Sequence, residues 1–169
     1  MIDNLQFTIE KTTQSRLATI DFDHLQFGKV FSDHMFIAEY VNGSWESAKI
    51  TPFKALEMSP AAVVFHYGQA IFEGLKAYKN ASGEISLFRP EENWKRLNRS
   101  ANRMCMQEVP KEFFLEGIKE LVRLDKEWIP QGKGQSLYIR PFLIASDNFL
   151  GVRASNSYKF IIITSPTST

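Results

Sequence analysis

The order of the predicted elements constrains this chain more than any other feature. Short runs typical of strands come first, two helical patterns follow, and two further strand patterns end the chain. A parallel α/β fold requires strands and helices to alternate, and no such alternation is visible. The sequence therefore predicts an α+β layered domain.

The strand predictions depend on alternating apolar residues and on turn residues. Asn42-Gly43 lies between two such runs and is a strong hairpin signal. A compact turn is expected at 66–68, and a second hairpin turns at 80–83. The predicted strands are 34–40, 44–50, 61–65, 75–78, 85–88, 136–146 and 159–164.

Two helices are predicted from periodicity and from their boundaries. The first opens with Pro90-Glu91-Glu92, which suits a first helical turn, and is expected to run to about Met106. The second follows Pro110 and ends before Pro130. The first has a buried stripe and a basic row, formed by Trp94, Leu97, Ala101 and Met104 and by Arg96, Arg99 and Arg103.

The length of 169 residues indicates one domain, or part of something larger. Residues 1–30 are polar and irregular and are predicted to form an arm, and residues 31–164 form the domain. Residues 165–169 are small, polar and uncharged, as at the start of an interdomain linker. We therefore expect a second domain beyond Thr169.

Composition excludes several classes of protein. The net charge is +1, which gives no bulk reason for a nucleic-acid or anionic-membrane partner. No apolar run approaches a membrane span, and no secretion signal precedes the domain, so a cytoplasmic protein is expected. The single cysteine and the three scattered histidines predict neither a disulfide nor a metal site.

The chemistry-bearing residues are arginine and tyrosine among apolar neighbours. Alternation places Tyr138 and Arg140 on one face of their strand, which could meet solvent, form a salt bridge or bind a carboxylate. The aromatic, glycine-containing run 66–78 could be a packed turn or a site, and the basic row of the first helix a solvated face or a binding surface. A glycine-rich phosphate loop and a hydrolase nucleophile motif are both missing from the sequence.

Four blocks together are similar to one family. They are HYGQAIFEGLKAY (66–78), LFRPEENWKRLNRSANRM (87–104), SLYIRPFLI (136–144) and LGV (150–152). They resemble the amino-terminal domain of the branched-chain amino-acid aminotransferases, fold-type IV pyridoxal-phosphate enzymes. The resemblance implies a two-layer sandwich of a mostly antiparallel sheet and two main helices, with pyridoxal 5'-phosphate between it and a large carboxy-terminal domain.

The resemblance also implies roles for individual residues. Arg96 matches the arginine that binds the cofactor phosphate, and Gly74 lies at the cofactor-facing turn. Arg140, with Tyr138, matches the group that accepts the distal carboxylate of glutamate. The aromatic walls of the substrate pocket are matched by Phe27, Tyr67, Phe72 and Tyr138. The loop Leu150-Gly151-Val152 would complete the pocket of a neighbouring subunit, which implies a homodimer.

The implied reaction is transamination of leucine, isoleucine and valine with 2-oxoglutarate, in branched-chain amino-acid metabolism. The family's Schiff-base lysine belongs to the large domain, so no catalytic lysine is assigned in this chain, and Lys76 matches a non-covalent basic position at most. Two alternatives are another fold-type IV enzyme, such as D-amino-acid aminotransferase or aminodeoxychorismate lyase, and a non-catalytic binding or dimerisation domain.

Overall fold

The computed structural model describes residues 7–46 and 48–168, which form nine strands and three α-helices. The strands are β1 (Thr8–Ile9), β2 (His34–Val41), β3 (Ser44–Trp45), β4 (Lys49–Pro52), β5 (Ala70–Phe72), β6 (Leu75–Lys79), β7 (Ile85–Leu87), β8 (Ser136–Ala145) and β9 (Tyr158–Thr167). The helices are α1 (Val63–Tyr67), α2 (Pro90–Arg103) and α3 (Lys111–Leu124). None of these helices is long and apolar enough to cross a membrane.

All nine strands join one sheet. Its order is β1-β4-β2-β9-β8-β6-β7, with β3 paired to β2 and β5 paired to β8. Within the described ranges, β1 and β4 are the parallel pair and the other pairs are antiparallel. The α+β prediction with a mostly antiparallel sheet is confirmed.

Helices α2 and α3 cover one face of the sheet and bury the main core. Strand alternation sends Leu137, Ile139 and Leu143 of β8 to this side, where all three are fully buried. The rings of Phe114 and Phe160 stack with centroids 6.1 Å apart. Each large side chain removed from water contributes about 1.5–3 kcal/mol, so this layer carries most of the stability.

The opposite face of the sheet is only partly covered. Ile37, Ile144 and Ile161 form a smaller buried cluster there. Side chains of residues 56–64, which include Val64 of α1, pack against this cluster. Tyr138 and Arg140 belong to the same face of β8 as Ile144, but they lie nearer the start of the strand and outside that cluster. This uncovered part of the sheet carries the candidate site.

The prediction of a strand over 61–65 is wrong. Helix α1 begins at Val63 and ends at Tyr67, and the cap residue Gly68 has a φ of 63°, the left-handed conformation that favours glycine. The N–H of Val63 donates to the carbonyl of Asp147 at 2.9 Å, which anchors the helix to a distant loop. This tertiary contact and the glycine cap outweigh the strand preference of Val63 and Val64. The strand of this region is β5.

The single strand predicted over 44–50 is also wrong. β3 and β4 both pair with β2, in registers that differ by one residue. One extra residue between two paired segments is the signature of a β-bulge. The hairpin at Asn42-Gly43 is confirmed, and so is the second hairpin, formed by β6 and β7.

Both helices of the main layer are confirmed, with one shift at the end of α2. The helix ends at Arg103, and Cys105 has a positive φ of 52°. Met104 is therefore 40% exposed and lies outside the predicted stripe, whereas Met106 is buried. Leu97 and Ala101 are fully buried as predicted.

The two ends of the chain are held more firmly than the sequence indicates. Strand β9 continues to Thr167, and Pro166 pairs with Leu137, so residues 165–167 are strand residues. At the other end, the N–H of Thr12 donates to Nε2 of His34 at 2.9 Å. The described part of the arm, 7–30, is thus attached to the sheet; residues 1–6 and 169 lie outside the described residues.

Candidate functional site

An open cleft of about 620 Å³ lies beside the first turns of α2, against β6 and the start of β8. It is lined by Gly74, Lys76, Tyr78, Arg89, Asn93, Arg96, Arg99 and Tyr138, among others. The cleft therefore combines residues from three of the blocks that carry the sequence resemblance. Arg96, Gly74 and Tyr138, predicted as site residues, meet there.

Gly74 allows the floor of the cleft to form. A Cβ atom at this position would overlap the phenol of Tyr138. The backbone between β5 and β6 and the tyrosine ring therefore approach more closely than any other residue at position 74 would permit. The requirement at this glycine is space, since its φ lies outside the left-handed region.

Arg96 is held by a buried carboxylate. Its Nε donates to Oε1 of Glu73 at 2.7 Å, and its Nη2 donates to Oε2 at 2.6 Å. Glu73 is only 4% exposed, and Asn93 donates to Oε2 at 2.9 Å. Hydrogen bonding to Glu73 raises the pKa of Arg96 above its ordinary value. The guanidinium is thus permanently charged and fixed in direction.

Positive charge predominates around the cleft. Lys76, Arg89, Arg96 and Arg99 line it, against one lining carboxylate, Glu92. A hydrogen bond from Lys95, at 2.9 Å, lowers the pKa of Glu92 and partly neutralises its charge. An open cleft with several cations and a fixed guanidinium suits a multiply charged anion such as a phosphate ester.

Arg140 has a different environment. Its Nη2 and Nε donate to the phenol oxygen of Tyr138 at 2.8 and 3.3 Å, and its guanidinium lies 4.3 Å from the ring centroid of Phe72. Within residues 7–46 and 48–168, no ion pair includes Arg140. Its charge is therefore framed by aromatic groups and uncompensated by a carboxylate.

The aromatic group is continuous with this arginine. Phe27 of the arm packs edge-on against Tyr138, with centroids 5.1 Å apart. Phe27 is 61% and Phe72 is 64% exposed, so both present their rings to solvent. Exposed apolar surface of this kind is typical of a binding site or an interface. Phe27, Phe72, Tyr138 and Arg140 are thus brought together as the resemblance implies.

The structure does not bring the other predicted residues into this group. Tyr67 ends α1, and Leu150-Gly151-Val152 lies in the loop after β8. Because Tyr138 is near the start of β8, roughly 20 Å of extended strand separates it from that loop. Val152 is 93% exposed, and the loop is tied to the segment just before α1 by the bond from the N–H of Phe149 to the carbonyl of Ala61.

Sequence reasoning missed Glu73 and Asn93 as part of the site. Glu73 is separated from Arg96 by 23 positions, and no periodicity joins a residue between two strands to a helix. The available signal was an acidic residue in an otherwise apolar run, Ile71-Phe72-Glu73-Gly74-Leu75. A charged residue enclosed in such a run has to be paired when buried.

The chain is similar to known proteins over most of its length, although no family model matches it. It is 50% identical over 155 residues to branched-chain-amino-acid aminotransferase 2 of Bacillus subtilis (strain 168); the match covers 91% of this chain and 43% of that protein. The chain thus spans less than half the length of this curated relative.

Two solved structures of the T.th. branched-chain amino acid aminotransferase are also similar. Each matches with a TM-score of 0.56 and 28% identity, over 75% of this chain and 39% of the other. One of them is complexed with N-(5'-phosphopyridoxyl)-L-glutamate and the other with 4-methylvaleric acid. The first ligand carries a phosphate and carboxylates, and the second carries a branched apolar chain.

Proposed function

We propose that this chain, a member of the branched-chain amino-acid aminotransferase family, is the small domain of a pyridoxal-phosphate-dependent transaminase. The proposed reaction transfers the amino group of leucine, isoleucine or valine to 2-oxoglutarate. The observation that carries the proposal is a pair of differently held guanidinium groups. Arg96 lines the cleft and is paired with Glu73, and Arg140 contacts the phenol of Tyr138, which lines the same cleft.

Arg96 would bind the cofactor phosphate. Glu73 uses the Nε and one Nη2 proton of Arg96, so the remaining N–H groups stay free for phosphate oxygens. Lys76, Arg89 and Arg99 add positive charge to the cleft. Because Gly74 has no Cβ atom, its backbone can lie close to the phenol ring of Tyr138. These residues fit a phosphate ester in charge and in space. When bound, pyridoxal phosphate supplies an aldehyde that takes up the amino group and a ring that accepts electrons.

Arg140 would receive the distal carboxylate of glutamate or 2-oxoglutarate. In the described parts of the chain its guanidinium pairs with no carboxylate. It donates to the phenol of Tyr138 and lies over the ring of Phe72, and Phe27 packs against Tyr138. Apolar rings suit the branched side chain of leucine, and the guanidinium suits the carboxylate that occupies the same region in the other half-reaction. One wall therefore serves both substrates.

The remaining machinery would come from outside the chain. A transaminase needs a lysine whose amine reacts with the cofactor aldehyde and moves protons, and we assign none here. Lys76 lies in β6 among the cations of the cleft, where it would act as a charge. The second half of the cleft would exclude water from the phosphate and carboxylate contacts, which strengthens both.

We further propose a homodimer in the cytoplasm. The exposed loop Leu150-Gly151-Val152 lies away from the cleft of its own subunit, and Leu150 and Val152 are largely exposed apolar side chains. A neighbouring subunit could therefore receive it. The free, exposed thiol of Cys105 suits a reducing compartment.

The two rival functions make different demands on Arg140. Another fold-type IV enzyme is disfavoured by two blocks that carry the resemblance, the strand segment Tyr138-Ile139-Arg140 and residues 89–100. A non-catalytic binding domain would require neither the separation of two anion sites nor a fixed Arg96. The geometry of the two arginines favours the branched-chain transaminase.

The test is Arg140→Ala in the enzyme formed by this chain and its large domain. The change removes one charged partner of glutamate, so the single-turnover rate constant over Kd for glutamate should fall roughly 10- to 100-fold, while that for leucine changes little. Arg123→Ala, an exposed arginine on α3, is the matched control. An equal loss for leucine and glutamate would refute carboxylate recognition by Arg140.

A further inference from the structure

Glu73 is the most enclosed charged side chain at the cleft. It lies between β5 and β6, is 4% exposed, and its own N–H donates to the carbonyl of Pro141 at 2.9 Å. Three N–H groups donate to its carboxylate, two from Arg96 and one from Asn93. Backbone and carboxylate are therefore both fixed.

Arg96 depends on this carboxylate for its orientation. The Arg96 side chain is 59% exposed, and Glu73 is its partner in both recorded side-chain hydrogen bonds. An exposed arginine without a partner samples many rotamers and has to be ordered when it binds a ligand. The bidentate pairing removes most of that freedom beforehand and directs Nη1 away from Glu73.

We propose that Glu73 is a positioning residue that holds Arg96 ready for the phosphate group of the cofactor. The inference rests on the proposed function, because it assigns the phosphate to Arg96. Asn93 supports it by donating to Oε2 of Glu73 and, at 3.3 Å, to the carbonyl of Gly74. One carboxylate thus links the helix that carries Arg96 to the glycine turn.

The sign of the effect distinguishes positioning from simple electrostatics. A carboxylate near a phosphate repels it, so loss of the charge of Glu73 would by Coulomb's law alone strengthen phosphate binding. If Glu73 positions Arg96, loss of that charge weakens binding, because Arg96 must then be ordered by the ligand. Ordering one such side chain costs roughly two- to tenfold in affinity.

The experiment measures the affinity of the 169-residue chain for pyridoxamine 5'-phosphate by NMR titration, with pyridoxamine as the phosphate-free control. Pyridoxamine 5'-phosphate has no aldehyde and does not react with surface lysines. Glu73→Gln should weaken binding of the phosphate ester about two- to tenfold and leave pyridoxamine unchanged. Glu92→Gln is the matched control, because it removes a negative charge from the same cleft at a residue that pairs with Lys95 and not with Arg96. This variant should bind the phosphate ester as tightly as the unsubstituted chain or more tightly.

A double-mutant cycle tests whether Glu73 acts through Arg96. In the Arg96→Ala background, Glu73→Gln should produce no further loss, since the group that it positions is gone. Should Glu73→Gln weaken binding equally with and without Arg96, or tighten it, the positioning role is overturned. If Arg96→Ala itself leaves the affinity for the phosphate ester unchanged, the phosphate role fails instead.

A measurement on the unsubstituted chain covers the case in which Glu73→Gln does not fold. The relaxation of ¹⁵Nε reports the order of each arginine side chain on the nanosecond timescale. Before any ligand is added, Arg96 should be ordered and Arg99, which is exposed on the same helix, should be mobile. Equal mobility of the two arginines would overturn the proposal.

Discussion

Two arginines of the candidate site differ in what holds them: Arg96 lines the cleft, and Arg140 contacts Tyr138, which also lines it. The charge of Arg96 is paired with buried Glu73 by two short hydrogen bonds, whereas Arg140 is framed by a phenol and an aromatic ring and is paired with no carboxylate in the described parts of the chain. A paired arginine keeps its direction, and an unpaired arginine keeps its full charge. The first suits a ligand that stays bound, and the second suits a carboxylate that comes and goes.

The largest expected effect is that the chain alone does not catalyse transamination. Because no lysine of the chain is assigned to react with the cofactor aldehyde, the 169-residue chain alone should not transaminate leucine, even with pyridoxal phosphate present. Borohydride reduction followed by intact mass measurement should show no stoichiometric attachment to a single lysine. Stoichiometric labelling of one lysine together with measurable transamination would show that the chain is self-sufficient.

The comparison predicts unequal effects on stability. Arg96→Ala leaves the buried carboxylate of Glu73 with Asn93 as its remaining side-chain donor, which should cost about 2 kcal/mol. Arg140→Ala strands no buried charge and should change stability by less than about 0.5 kcal/mol. Urea unfolding of both variants at neutral pH compares them directly. Similar midpoints would mean that Glu73 does not depend on Arg96.

A substitution at Gly74 should connect the two regions. Gly74→Ala places a methyl group against the phenol of Tyr138, the hydroxyl that Arg140 contacts, and should cost about 1 kcal/mol. Tyr138→Phe removes the nearest atom of that overlap, so the same change should cost less in the Tyr138→Phe background. The measurement is urea unfolding of the four proteins, and additive effects would contradict the proposed overlap.

Sequence reasoning and structure agree where the physical signal is local. The periodicity of α2 and the Asn42-Gly43 turn are visible within a few residues, and both elements are confirmed, apart from the last turn predicted for α2. Helix α1 and the end of β9 were mispredicted because each depends on a distant partner, Asp147 for Val63 and Leu137 for Pro166.

The same division applies to the candidate site. Tyr138 and Arg140 share a face by simple alternation, so their contact follows from the sequence. The pairing of Glu73 with Arg96 joins a turn to a helix, and the packing of Phe27 on Tyr138 joins the arm to β8. Neither has a local pattern that could have predicted it.

The smallest expected effect is a pH dependence of the arm that carries Phe27, in the region around Arg140. Burial acts to raise the pKa of Asp33, but hydrogen bonds from Ser15, the N–H of Arg16 and Trp128 outweigh it, and the pKa lies below its ordinary value of 3.8. The stability contributed by these bonds is therefore present above about pH 4 and is lost as pH falls through the lowered pKa. They fasten the arm that carries Phe27.

Acidification should therefore loosen the arm that packs Phe27 against Tyr138, the residue that Arg140 contacts. The nuclear Overhauser contact between the rings of Phe27 and Tyr138 should weaken below about pH 4. In Asp33→Asn the contact should be weaker at neutral pH and should change less on acidification. A contact that persists unchanged to about pH 2 in the unsubstituted chain would show that Asp33 does not hold the arm in place.

The most direct measurement of the central claim is an NMR titration that follows the ¹⁵Nε signals of both arginines in the same sample. Pyridoxamine 5'-phosphate should shift the signal of Arg96 and leave that of Arg140 nearly unchanged. Added 2-oxoglutarate should then shift the signal of Arg140 and leave that of Arg96 in place. If both ligands move the same arginine, or if the phosphate ester moves Arg140 alone, the assignment of phosphate to Arg96 and carboxylate to Arg140 is wrong.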